Sequence, residues 1–200
     1  MSIKVYVEGG GDRKDLKTRC RQGFSTFLRK AGLEGRMPRI VASGARQNAY
    51  NSFCTAFRMA QDGEFIVLLV DSEAPVTEQN APWTHLRLRD GWDQPPGTDD
   101  DNAHLMVQCM EAWFFADADA LQAYYGPHFN ANAIPDRKDI ENIPKQDLFR
   151  TLKSATRNTQ EYDKGGHSFG ILSHLDPDKV KAASPYANRL IRVLLDKAGG

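Results

Sequence analysis

Apolar residues alternate with Lys4 and Tyr6 from Ile3 to Val7, the two-residue period of a strand. The alternation stops at Glu8-Gly9-Gly10-Gly11-Asp12, a glycine-rich turn. Leu16, Cys20, Phe24, Phe27, Leu28 and Ala31 then recur at helical spacing with Lys14, Lys17 and Arg21 opposite. This predicts an amphipathic helix with Asp12 as N-cap and Gly32 as stop. Arg39 to Ala42 reads as a second strand, and after Gly44 a helix would turn Tyr50, Phe53, Cys54 and Phe57 inward. Phe65 to Val70 is apolar throughout and bounded by Asp62-Gly63 and Asp71-Ser72. It has the makeup of a strand buried on both faces, as parallel sheets require. From Ala74 to Asn102 the chain is rich in Pro, Gly and Asp, which predicts a long loop with little regular structure. Beyond it the pattern predicts a strand from His104 to Gln108, a helix from Glu111 to Tyr125 and a helix from Ile143 to Thr156. A Gly165-Gly166-His167-Ser168 turn then leads into a short helix, and a last helix runs from Tyr186 to Ala198.

Strands alternating with helices predict an α/β fold: a Rossmann-like parallel sheet flanked by helices, with a helical C-terminal extension. Residues 1–130 would form the sheet-bearing unit and 131–200 the extension packed on it. A chain of 200 residues can enclose a full core. The longest apolar run, Phe65 to Val70, falls far short of the ~20 residues of a bilayer span, and Met1-Ser2-Ile3-Lys4-Val5 has no signal-peptide core. A cytoplasmic protein with no membrane partner is expected. Cys20, Cys54 and Cys109 form no C-x-x-C pair, so buried thiols are expected rather than a disulfide framework or zinc ribbon.

The net charge of zero conceals an uneven distribution. Residues 1–39 carry +6, residues 40–136 carry −10 and residues 137–200 carry +4. Basic flanks around an acidic middle suit a protein that grips phosphate with its ends and holds cations at its centre, although charge blocks are often just solvated faces. In an open parallel sheet, ligands sit beyond the carboxyl ends of the strands. Glu8 ends the first strand and Asp71 the third, so both acids reach one rim. The two-residue step to Glu73 aims its side chain the same way if extended geometry persists. Convergent carboxylates repel unless a cation neutralises them, and Mg²⁺ or Mn²⁺ prefers such oxygen ligands.

A strand ending in Glu followed by glycines, and an apolar strand ending in Asp-x-Asp/Glu, resemble the Toprim fold of topoisomerases, primases and OLD (overcoming-lysogenization-defect) nucleases. The likeness is nearest to small stand-alone Toprim proteins of bacterial defence and mobile-element loci, commonly described only as domains of unknown function. It is carried by Val7-Glu8-Gly9-Gly10-Gly11-Asp12, Leu69-Val70-Asp71-Ser72-Glu73, Met106 to Phe114, and Tyr162-Asp163-Lys164-Gly165-Gly166-His167-Ser168-Phe169. The resemblance implies that residues 1–130 are a metal-dependent catalytic unit, with Glu8, Asp71, Glu73 and Glu111 as ligands of two Mg²⁺ or Mn²⁺ ions and Lys164 as a catalytic lysine near them. The second acid is Glu73 where many Toprim proteins have Asp, which lengthens that arm. The resemblance further implies cleavage of nucleic acid, DNA before RNA, with a separate ATPase as partner, since the chain has no G-x-x-x-x-G-K-[ST] loop. Leu190, Ile191, Val193, Leu194 and Leu195 offer a docking stripe for that partner, or else ordinary core; homo-oligomers stay open.

Each element also has a plainer reading. Glu8 could cap a helix, Asp71 and Glu73 could be loop acids, and Glu111 could open a surface helix. Gly9, Gly10 and Gly11 could make a tight turn rather than a phosphate cradle. Arg13, Lys14, Lys17 and Arg21 could be a solvated face rather than phosphate contacts, and Asp99-Asp100-Asp101 a solvated run. Lys164 and His167, framing two glycines, could bind phosphate or merely flank a capping turn. The rival to a nuclease is a binding or regulatory subunit with a weak or silent site.

Overall fold

The computed structural model describes residues 1–77, 81–137 and 139–199. Four parallel strands, β1 (Ser2–Val7), β2 (Arg39–Ala42), β3 (Glu64–Asp71) and β4 (Ala103–Met106), lie in the order β2-β1-β3-β4. The fold is therefore α/β, a parallel sheet flanked by helices and followed by a helical C-terminal stretch. After β1 the chain moves to one edge and after β2 it crosses to the other side, so the topological switch falls between β1 and β3. There Val7 sits beside Leu69. Such a switch opens a crevice at the strand ends, which here end in Glu8 and Asp71.

Side chains of β1 and β3 divide between the two faces. Val5, Val7, Val67 and Leu69 join α1 (Lys14–Leu28) and the C-terminal helices in the larger core. Ile66, Leu68 and Val70 pack with Phe53 of α2 (Arg46–Arg58) and with Trp83 and Leu86 on the other face. Burial on both sides explains why β3 reads as an unbroken apolar run.

Several expectations need correction. The segment expected to be a loop from Ala74 to Asn102 contains a helix, α3 (Pro82–Asp90), and a 3₁₀ turn (Asp100–Asn102); its residues 78–80 lie outside the described residues. Pro82 starts α3 and left-handed Gly91 (φ 70°) stops it, while only Trp83 and Leu86 need to be apolar to seat it on the sheet. Asp12 does not cap α1: the N-cap is Arg13, and no side chain bonds there. The fourth strand stops at Met106, short of Gln108. The helix expected over 111–125 is split into a 3₁₀ segment (Met110–Ala116) and α4 (Ala118–Tyr125), because the Asp117 carboxylate breaks in to cap Ala120 N–H (3.3 Å) and accept Asp176 N–H (2.9 Å).

The C-terminal stretch comprises α5 (Lys145–Thr156), α6 (Lys164–His174), α7 (Pro177–Ala183) and α8 (Pro185–Gly199). Helix α6 begins at Lys164 rather than Ser168 because Asp163 caps it, accepting Gly166 N–H at 2.6 Å. It runs along α1 so closely that a Cβ on Gly23 would stand 2.6 Å from Phe169 O. Leu190, Ile191, Val193 and Leu194 of α8 are buried and Leu195 packs against the core, so this stripe is not a docking surface. Cys20 and Cys109 are buried thiols as expected, but Cys54 is only half-buried. Among the described residues, no helix is long and apolar enough to cross a membrane.

Candidate metal centre at the strand ends

Glu8 leaves β1 with its backbone N–H donating to Leu69 O at 2.9 Å, and its Oε2 accepts the backbone N–H of Asp71 at 3.2 Å. Asp71 is buried, and its Oδ1 accepts Met110 N–H at 2.9 Å. Extended geometry does not persist to Glu73, which sits in the left-handed region (φ 63°), a conformation that costs a non-glycine residue roughly 1–2 kcal/mol. Two backbone bonds hold it there, Ser72 N–H to Met106 O (2.9 Å) and Glu73 N–H to Gln108 O (2.8 Å). The side chain still returns to the other two acids. Glu8, Asp71 and Glu73 each present an oxygen, and the three oxygens lie within 4.8 Å of one another.

Glu111 stands beside this group but outside it. Fully buried at the start of the 3₁₀ segment, its Oε1 accepts the hydroxyls of Tyr162 and Ser168, each at 3.1 Å. Its Oε2 receives no hydrogen bond among the described residues. Lys164 Nζ lies 3.7 Å from Glu111 Oε2 and 3.8 Å from Asp71 Oδ2, over the ring of Phe149, and its side chain is half exposed.

Two cations absent from the sequence reading complete the electrostatics. Arg46, at the first turn of α2, is clamped by Asp90 through Nε (3.0 Å) and Nη2 (2.6 Å) and lies on the Trp92 ring. Its Nη1 donates to Glu8 Oε2 at 3.2 Å and to the Asp71 carbonyl. Lys145, opening α5, bonds Glu73 Oε2 at 2.6 Å. Neither belongs to a motif. The only signal was position: α2 follows β2, whose C-terminal end lies on the same rim as Glu8. Tyr162 and Ser168 were visible only as members of a similar segment.

Burial raises the Asp71 carboxyl to about 8, helped by the charges of Glu111 and Glu8 and opposed by Lys164 and Lys145. Burial also raises Glu8, against the pull of Arg46 and the Asp71 N–H. For Glu73 burial is outweighed by the hydrogen bond and charge of Lys145, with Lys164 and Arg89 assisting, and its carboxyl is lowered. The Lys164 ammonium is held up despite burial, by Glu111 and then Asp71.

The glycines shape the other wall. Gly9 and Gly44 exchange backbone bonds (2.9 and 3.0 Å), and Gly10 (φ 83°) lies so close to α1 that a Cβ would stand 2.8 Å from Lys17 Cα. Gly9, Gly10 and Gly11 line the cavity along with Glu8, Asp71, Glu111 and Lys164. Lys17 packs under the glycine loop, whereas exposed Arg13 pairs with Asp15 (2.7 Å), and Lys14 and Arg21 are exposed on α1. His167 is buried and faces elsewhere: its Nδ1 lies 3.0 Å from Tyr125 Oη and accepts Asp163 N–H at 3.2 Å. The cap also occupies Gly166 N–H, so that amide is not free for phosphate. Asp99, Asp100 and Asp101 are remote from the acids; Asp99 caps its own turn, and Asp101 pairs with Arg189 at 3.1 Å.

A family model described as a domain of unknown function (DUF4276) matches residues 7–195, and the chain belongs to that family. No curated protein and no solved structure matches it.

Proposed function

We propose that this member of the family is a divalent-metal-dependent hydrolase of nucleic-acid phosphodiester bonds, with Glu8, Asp71 and Glu73 as the ligands of Mg²⁺ or Mn²⁺. The observation carrying this reading is the convergence of three carboxylate oxygens within 4.8 Å at the switch point of a parallel sheet. The donor set fits such an ion: all three ligands are hard oxygens, and buried Asp71 holds its proton up to about 8 unless a cation compensates its charge. A bound ion would supply Lewis-acid polarisation of the phosphodiester and a bound water of lowered pKa. Arg46 orients Glu8, Lys145 orients Glu73, and Lys164 brings positive charge to the mouth of the site, where a phosphate would enter. The Toprim-like motifs read in the sequence support the assignment, and on that resemblance the proposal extends to a separate ATPase partner. One ion suits the geometry better than two, since Lys164 already stands between Asp71 and Glu111.

The test is a thermal melt with Mn²⁺ together with a cleavage assay on oligonucleotides. The expected result is a raised Tm and metal-dependent cleavage, both lost in Asp71→Ala. One observation favours the second reading, a silent regulatory site: each acid already has a basic neighbour, Arg46, Lys145 or Lys164. An unaltered melt in Mn²⁺ would support it.

A further inference from the structure

Of the three proposed metal ligands, Glu8 and Asp71 line the cavity at the strand ends and make up only part of its wall. Its volume is about 210 Å³, its floor is formed by Leu16, Met106, Met110 and Phe169, and the exposed Gly11, Lys164 and Gly165 lie at its rim. A site that handled phosphate alone would need cations rather than an apolar floor. At the back stands Glu111, fully buried, with Oε1 taken by two hydroxyls and Oε2 left without a hydrogen bond. A buried carboxylate oxygen lacking a donor is costly, and at a cavity wall it asks for an N–H or O–H from whatever enters. Glu111 lies outside the three-acid group, and the ammonium of Lys164 fills the space between it and Asp71, which disfavours a second metal ion as the missing partner.

We propose that this cavity receives one unpaired nucleobase, its face against the Leu16, Met106, Met110 and Phe169 floor and one ring or exocyclic N–H on Glu111 Oε2, so that the site selects single-stranded nucleic acid. The inference rests on the hydrolase reading and names its substrate class. A flat heterocycle with an apolar face and a donor edge matches both halves of the cavity. In a duplex those N–H groups are paired and the faces stacked, so the base must be free before it enters. The backbone of that nucleotide would then leave past Lys164 beside the three acids.

The test uses the full chain with Ca²⁺ in place of Mg²⁺ and a short oligonucleotide carrying 2-aminopurine, offered as a single strand and as a duplex. A saturable rise in fluorescence with the single strand, as the base leaves its stack, with binding at least about tenfold weaker for the duplex, is expected. Leu16→Trp, which fills the cavity from the side of α1, should weaken single-strand binding on the order of tenfold while Mn²⁺ affinity, read by electron paramagnetic resonance, is retained. Glu111→Gln turns an acceptor into a donor toward the base and should weaken the oligonucleotide similarly without changing the number of Mn²⁺ ions bound. Equal binding of duplex and single strand, indifference to Leu16→Trp, or loss of a Mn²⁺ ion in Glu111→Gln would overturn the base pocket while leaving the hydrolase reading intact. Absence of Mn²⁺ binding in the unmodified protein would instead remove the reading on which the pocket depends.

Discussion

Replacing Asp71 by Asn removes an ionisable group but keeps the acceptor used by Met110 N–H at 2.9 Å, so its effect on stability isolates the cost of a buried charge. The carboxyl ionises near 3.8 when unfolded and at about 8 when folded, with burial the main cause and Glu111 the next. The folded state therefore keeps a proton that the unfolded state has lost throughout that window. The associated stability is fully present below about 3.8 and disappears as pH rises to about 8. At about 1.4 kcal/mol per pH unit, the whole window is worth on the order of 5 kcal/mol, an upper bound because Glu8 and Lys164 readjust with Asp71. Urea unfolding in EDTA from pH 5 to 9 measures it. The advantage of Asp71→Asn over the wild type should grow steadily between pH 5 and 8 by several kcal/mol, then level off. Saturating Mn²⁺ should reverse the order, because only the wild type gains the ion. A difference that does not change with pH would refute the claim that burial of Asp71 outweighs the charges of Lys164 and Lys145.

Three further outcomes follow from the same geometry. Lys164→Ala should lower cleavage about a hundredfold or more while costing about 1–3 kcal/mol of stability, since the ammonium is itself half exposed and 3.7 and 3.8 Å away but leaves buried Glu111 and Asp71 without their shared cation; kinetics and melting on one preparation separate the two. Asp90→Asn should destabilise by about 1–3 kcal/mol in urea, because Arg46 loses a charged, largely buried partner, whereas Asp15→Asn, which frees only exposed Arg13, should leave the unfolding midpoint unchanged. Wild type but not Asp71→Ala should gain in Tm with Mn²⁺, as differential scanning calorimetry would show.

The parts of this protein legible in its sequence are those in which one residue's surroundings are set by the segment it belongs to. β3 is apolar because both faces are covered, and together with the alternation of strands and helices that predicted a parallel sheet. Glu8 and Asp71 were placed on one rim because strand ends in such a sheet share a side. Where the environment comes from a distant segment, the pattern failed. Asp117 reads as a mid-helix residue, yet it splits the helix because Lys179 (2.7 Å) and the Asp176 N–H reach it from α7. The alignment of Glu73 with Asp71 was expected only if extended geometry persisted, but the residue turns left-handed as its N–H donates to Gln108 O. The burial of His167 and the engagement of its Nδ1 by Tyr125 of α4 and the Asp163 N–H were equally out of reach of the local pattern.

The segment expected to be a long loop with little regular structure is tied to the site through Arg46. Trp92 lies on Arg46 and stacks with Tyr50, its ring centroid 4.4 Å away, while its indole N–H donates to Gln47 Oε1 at 3.0 Å. Asp90, the last residue of α3, takes two guanidinium bonds. With three of its nitrogens engaged and its face covered, the Arg46 guanidinium has little freedom left, and Glu8 meets a fixed charge rather than a flexible one. The insertion therefore acts on Glu8 through a side chain that it does not itself contain. That is why neither the composition of the insertion nor any short motif in it disclosed the role.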